Sequence, residues 1–168
     1  MAAFTSGKTL NLVSSEGTKF NILADRAKIS ELIKTAYDEE AEDGQELPLP
    51  NLTTPILDAL VKFMNQYATD PMTPVEKPLK SQSLRDTIQE FYWQFVNVPQ
   101  EQIFELMLAA NYLDLKPLLE LTCAAIALKI KGRTPEEIKA EFNIGADDVW
   151  TAEDEAQMRA ENAWCAEI

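Results

Sequence analysis

Pro117-Leu118-Leu119-Glu120-Leu121-Thr122-Cys123-Ala124-Ala125-Ile126-Ala127-Leu128-Lys129-Ile130-Lys131 reads as a helix with two apolar sides. Leu118, Leu121, Ala125 and Leu128 recur at intervals of three, four and three residues, which lines them along one side. Leu119, Cys123, Ile126 and Ile130 recur at four, three and four. They form a second stripe about 100° further round, because each residue advances an α-helix by that angle. The first side can join the chain's own core. For the second, two readings fit: a central helix buried all round, or a helix that keeps one face for a partner.

The sequence that follows favours a partner. From Arg133 to Ile168 there are three basic and ten acidic residues, a net of −7, and large apolar residues are sparse: Ile138, Phe142, Ile144, Val149, Trp150, Met158, Trp164 and Ile168. Helix starts are nevertheless encoded. Thr134-Pro135-Glu136-Glu137 and Thr151-Ala152-Glu153-Asp154 each place a carboxylate three residues after a hydroxyl cap. Short acidic helices with few anchors bury little area against their own ordering entropy, so the expectation is a tail that orders fully against another surface. The competing reading is a C-terminal cap on the core.

Working back towards the N-terminus, Leu10 and Leu12 alternate with polar neighbours, Ser14 to Gly17 supplies turn residues, and Phe20 and Ile22 alternate again, the pattern of a β-hairpin. Ile29, Leu32, Ile33 and Ala36 then take helical spacing, with Asp25 as the expected cap. Asp38 to Glu46 reads as a solvated acidic loop and Leu47-Pro48-Leu49-Pro50 as an extended segment suited to a short edge strand. Thr54-Pro55 opens a helix carrying Ile56, Leu57, Leu60, Val61, Met64 and Tyr67. Pro71, Pro74 and Pro78 mark Asp70 to Gln82 as a mobile linker. Beyond it, Leu84, Ile88, Phe91, Tyr92 and Phe95 form one helical stripe, and Ile103, Phe104, Met107 and Leu108 begin another. The expected organisation is an α+β chain: a mixed α/β part over residues 1–69, a linker over 70–82, a helical part over 83–132 and a helical extension over 133–168.

Composition narrows the function. With 46% apolar and 26% charged residues, 168 positions suffice for one core. A net charge of −13 disfavours nucleic acid and anionic membranes as direct partners. Met1 to Lys8 lacks the pattern of a signal peptide and no run is long enough to span a bilayer, so the expected location is cytoplasm and nucleus. Cys123 and Cys165 are expected as free thiols. The chain has no histidine, no CxxC pair and no glycine-rich phosphate loop. Neither a metal, a cofactor nor a catalytic centre is expected.

Ala109-Ala110-Asn111-Tyr112-Leu113-Asp114, Ile130 to Ile138, Phe142-Asn143-Ile144 and Glu161-Asn162-Ala163-Trp164-Cys165 resemble the S-phase kinase-associated protein 1 family, the Skp adaptors of Skp–cullin–F-box ubiquitin ligases. Pro48-Leu49-Pro50-Asn51 stands where that family has a similar loop, so the resemblance runs from Lys8 to the end of the chain. It implies a BTB/POZ fold followed by two further helices. It also implies two partners, an F-box protein on the last helices and a cullin N-terminal domain on the BTB part. By position, Leu119, Cys123, Ile126, Ile130, Ile138, Phe142, Ile144 and Trp164 fall on the F-box side, and Asn111, Tyr112, Phe104 and Pro48 on the cullin side. The family also includes protist members hydroxylated and glycosylated at the proline matching Pro135, whose local role here is that of a first-turn helix proline. A homodimer of the free chain stays open. The chain departs from the family in having Phe91-Tyr92 where a Trp-Asp pair usually precedes the phenylalanine, and in a short insertion between Ile144 and Thr151.

The resemblance implies a non-catalytic ubiquitin-ligase adaptor. The alternative is an elongin C-like or chromosome-associated scaffold subunit without cullin ligase activity. Elongin C-like chains end near the end of the BTB-type fold, whereas this one continues from Thr134 to Ile168.

Overall fold

Leu10 and Leu12 leave water completely on one face of β1, Thr9–Val13, while Thr9, Asn11 and Val13 face the other way. In the computed structural model, which describes residues 7–37, 42–75, 83–142, 144 and 151–161 (backbone only at Glu153), the chain then turns through Gly17 at φ +81°. Only glycine adopts that conformation without steric cost. The Ser14 hydroxyl closes the turn by accepting from the Thr18 amide at 3.1 Å. β2, Lys19–Leu23, returns antiparallel with Ile22 opposite Leu10 and Phe20 opposite Leu12, the expected hairpin.

β3, Gln45–Pro48, lies parallel to β1 on its other side, giving the order β2-β1-β3. Its approach is clipped to β1. The Asp43 carboxylate accepts from the Thr9 amide at 2.7 Å and from the Thr9 hydroxyl at 2.8 Å, and these bonds hold its carboxyl below the ordinary aspartate value. The expectation of a wholly solvated acidic loop is therefore corrected at its C-terminal end, and residues 38–41 lie outside the described residues.

Between β2 and β3 the structure has two short helices, α1 over Ala24–Ala27 and α2 over Glu31–Ala36. Asp25 is not the cap of α2. Ser30 is, its hydroxyl accepting from the Ile33 amide, while Asp25 sits inside the first turn of α1. The shift has a tertiary cause, because Ser30 also donates to the Leu113 carbonyl at 2.5 Å.

α3, Thr54–Thr69, carries Pro55 in its first turn and buries Leu57, Leu60, Val61, Phe63 and Met64. Phe63 and Tyr67 meet Tyr92 edge-on at ring centroid distances of 5.6 and 6.5 Å. Tyr92 is fully buried and its hydroxyl donates to the Asp70 carbonyl at 2.5 Å. Burial, with the nearby Asp70 and Tyr67, pushes its phenol up to about 12. The Phe91-Tyr92 pair that departs from the family thus builds the core.

Asp70 to Val75 forms neither helix nor strand, as its prolines require, but it is not a solvated connector. Met72 and Val75 are buried, and the Gln89 side chain bonds the Thr73 amide and the Pro71 carbonyl at 3.0 and 2.9 Å. Residues 76–82 lie outside the described residues. The stripe expected from Leu84 to Phe95 divides into a 3-10 turn, Leu84–Asp86, and α4, Glu90–Val96. α5, Gln100–Tyr112, and α6, Lys116–Ile130, complete the series.

The chain divides into two compact units, Met1–Lys129 and Ile130–Ile168. The first holds the three-stranded sheet and its core. In the second, α7, Pro135–Glu141, starts with a reciprocal capping box: the Thr134 hydroxyl accepts from the Glu137 amide, and the Glu137 carboxylate accepts from the Thr134 amide. α8, Ala152–Glu161, starts with the same device, Thr151 and Asp154 exchanging bonds of 2.9 and 3.2 Å. Both starts fall where the hydroxyl-to-carboxylate spacing sets them. Among the described residues the fold is thus α+β, a three-stranded sheet with eight helices.

Candidate partner-binding site

α5 turns Ile103, Leu106, Ala109 and Ala110 into the core. By helical spacing, Phe104, Leu108, Asn111 and Tyr112 then share the opposite side. Phe104 is 37% exposed and Leu108 70%, Asn111 is exposed, and Tyr112 is half-buried. A cavity of about 340 Å³ opens beside them, with Asn51, Thr53 and Ile56 on one wall and Glu105, Leu108 and Tyr112 on the other. Three of the four residues that the resemblance implies for a cullin therefore lie on one helix face. Pro48 stands exposed at the end of β3, three positions before Asn51 in the loop that leads to this cavity.

Leu108 and Asn51 belong to the same surface, although neither is among the residues that the resemblance implies for a cullin. Spacing puts Leu108 in one apolar stripe with Ile103, yet Ile103 is 1% exposed and Leu108 is the most exposed large hydrophobic residue among those described. Spacing alone carried a usable signal, since Leu108 lies four residues after Phe104 and four before Tyr112.

α6 divides much as its spacing implies, except that Leu128 of the expected core side is half-buried and Leu119 of the other side also packs partly against the core. Leu118, Leu121, Thr122, Ala124 and Ala125 are buried, and the Thr122 hydroxyl is satisfied by the Leu118 carbonyl at 3.0 Å. On the other side Leu119 and Ile126 are half-buried, Cys123 is an exposed free thiol, and Ile130 is 39% exposed. In the second unit, α7 buries none of its residues: Ile138 and Phe142 are half-buried and Ile144 is 42% exposed. Arg133 pairs with Glu141 at 2.8 Å along the same segment, and the Ile144 amide donates to the Lys139 carbonyl. Pro135 occupies the first turn of α7 and is exposed. Trp164, which the resemblance puts on the F-box side, lies outside the described residues.

Large apolar side chains stand partly in water, flanked by polar neighbours, which is the composition of protein interfaces. Among the described residues no group of three or more Cys, Asp or Glu side chains is placed to hold a metal ion, and no helix is long and apolar enough to cross a membrane.

Residues 116–165 match the model described as Skp1 family, dimerisation domain. The chain is 36% identical to an E3 ubiquitin ligase complex SCF subunit sconC of Arthroderma benhamiae, over 98% of this chain and 99% of that protein. It is 40% identical to the SCF ubiquitin ligase complex protein SKP1a of Dictyostelium discoideum, over 93% and 94%. With the S-phase kinase-associated protein 1 homolog of Tetrahymena thermophila it shares 37% identity, over 94% of both.

Proposed function

This chain belongs to the Skp1 family, and from that premise we propose that it is a non-catalytic adaptor of a Skp–cullin–F-box ubiquitin ligase. It joins an F-box substrate receptor to a cullin scaffold in ubiquitin-dependent protein degradation. The observation that carries this reading is the division of α6: one side is buried, while Leu119, Cys123, Ile126 and Ile130 remain at least partly open on the other. A helix that only completed a core would carry polar side chains on its open side, whereas this one carries apolar ones. Here the second side receives the F-box, with Ile138, Phe142, Ile144 and Trp164 contributed by the extension. Asn111, Tyr112 and Phe104 on α5, with Leu108 and the Pro48 to Asn51 loop, receive the cullin. The small sheet followed by helices supports a BTB/POZ fold for the first unit.

An adaptor of this kind works by holding two partners at once, without chemistry of its own. Surfaces on different helices with no shared residue bind additively, so neither partner has to wait for the other. Co-expression with one F-box protein and one cullin N-terminal domain tests this. A ternary complex that co-elutes in stoichiometric amounts is the expected result. Capture of F-box proteins with no cullin supports the scaffold alternative, and capture of neither overturns the reading.

A further inference from the structure

Ser30 is fully buried, and its hydroxyl joins two helix ends that lie 83 positions apart in sequence. It accepts from the Ile33 amide at 3.2 Å and donates to the Leu113 carbonyl at 2.5 Å. Two backbone bonds run beside it, from the Leu32 amide to the Leu113 carbonyl and from the Glu31 amide to the Asp114 carbonyl. The first amides of any helix and the last carbonyls of any helix lack partners within it. Here the start of α2 and the end of α5 supply each other's partners, and opposite ends of the helix dipoles face one another.

The end of α5 is closed locally and then joined to α2. Asp114, at φ +46° in a left-handed conformation that aspartate tolerates better than most residues, donates its amide to the Asn111 carbonyl at 3.1 Å, the Leu115 amide donates to the Ala110 carbonyl at 2.8 Å, and the Leu113 and Asp114 carbonyls that follow accept from α2. Tyr112 is the last residue of α5 and lines two cavities. One is the cavity with Asn51 and Leu108, and the other, of about 550 Å³, includes Leu32 and Thr35 of α2. Its ring therefore stands between the Asn51 loop and α2. The position of α2 against it is set by the bonds at Ser30.

We propose that Ser30 is a positioning residue for cullin docking: without touching the partner, it fixes α2 against the end of α5 so that Tyr112 is held in its docking geometry before the partner arrives. The inference rests on the cullin-facing reading of α5. Preorganisation lowers the ordering cost of association, so removing it weakens binding without removing a contact.

Ser30→Ala tests the proposal, with affinities measured by calorimetry for a cullin N-terminal domain that captures the wild-type chain and, separately, for an F-box domain. Loss of one hydrogen bond's worth of positioning weakens cullin binding by about fivefold and leaves F-box binding within about twofold of wild type. The Tyr112 ring signal in the NMR spectrum of the free protein shifts and broadens at the same time. Should Ser30→Ala not fold at the assay temperature, Ser30→Cys, similar in size with a weak and longer donor, is measured in its place against the same criteria. Unchanged cullin affinity, or equal loss of both partners, overturns the proposal and leaves Ser30 a structural cap. Asn111→Ala with Tyr112→Ala is the control: if that double variant also keeps cullin affinity, the cullin reading of α5 fails, and the positioning role fails with it.

Discussion

Truncating Leu108 to alanine separates a docking side chain from a core side chain, because the structure assigns it so little internal work. Full burial of a leucine is worth roughly 1.5–3 kcal/mol. Leu108 is 70% exposed, so less than about a third of that, under 1 kcal/mol, supports the fold itself. The remainder, about 1–2 kcal/mol, becomes available when a partner covers the side chain, equivalent to about a five- to thirtyfold change in affinity. Leu108→Ala is therefore expected to weaken binding of a cullin N-terminal domain by about tenfold, with a melting temperature within a few degrees of wild type. Leu106, 5% exposed on the same helix, supplies the contrast, since its alanine variant costs the fold about 2–5 kcal/mol. Calorimetric titration and thermal melts of both variants make the measurement. An unchanged cullin affinity for Leu108→Ala, or a melting temperature lowered as far as that of Leu106→Ala, would refute the reasoning.

On α6, Ile126→Glu places a charge on the outward side and is expected to abolish F-box binding in a pull-down while the cullin domain is still captured; loss of both would point to misfolding instead. Tyr92→Phe leaves the Asp70 carbonyl without its donor and should cost about 0.5–1.5 kcal/mol in chemical denaturation. The raised phenol of Tyr92 stabilises the fold below the ordinary tyrosine value, and that contribution is lost as pH rises towards about 12. Alkaline melts should show the loss in wild type and lack that component in Tyr92→Phe. The bonds from Thr151 hold the Asp154 carboxyl below its ordinary value, so the start of α8 is supported above the unfolded aspartate value and weakens as pH falls through the lower folded one. Amide protection factors in residues 152–156, corrected for the intrinsic pH dependence of exchange, should fall on acidification in wild type and respond less in Asp154→Asn.

What the sequence disclosed most directly were features decided within a few residues. The β1–β2 hairpin follows from alternation around a glycine turn, the start of α3 from Pro55, and both caps in the second unit from a hydroxyl three positions before a carboxylate. The two sides of α6 were legible as well, because helical spacing sorts residues by angle. The features that escaped depend on distant partners. Ser30 replaces Asp25 as the cap of α2 because the end of α5 meets it. Met72 and Val75 are buried despite their proline-rich surroundings because Gln89 and Tyr92 tie that segment down. Leu108 reads like any core leucine until the fold decides which side of α5 faces inward.

Among the described residues the sheet has three strands, so β2 and β3 are both edges, and each offers a template to a strand from another molecule. The Leu49 amide donates to the Val13 carbonyl, so residues 47 and 49 face β1 and residues 46 and 48 face the open side. The outward residue at the end of β3 is thus Pro48, which has no N–H to offer, and the other is Glu46, whose carboxylate is paired with Lys19 of β2. A strand arriving along β3 finds a missing donor at one rung and a charged pair at the next. A chain with large apolar side chains partly in water runs a standing risk of sticking to itself, and here the β3 edge adds little to that risk. Replacing Pro48 with a β-branched residue would restore the missing donor, turning a blunted edge into a template for strand-by-strand polymerisation.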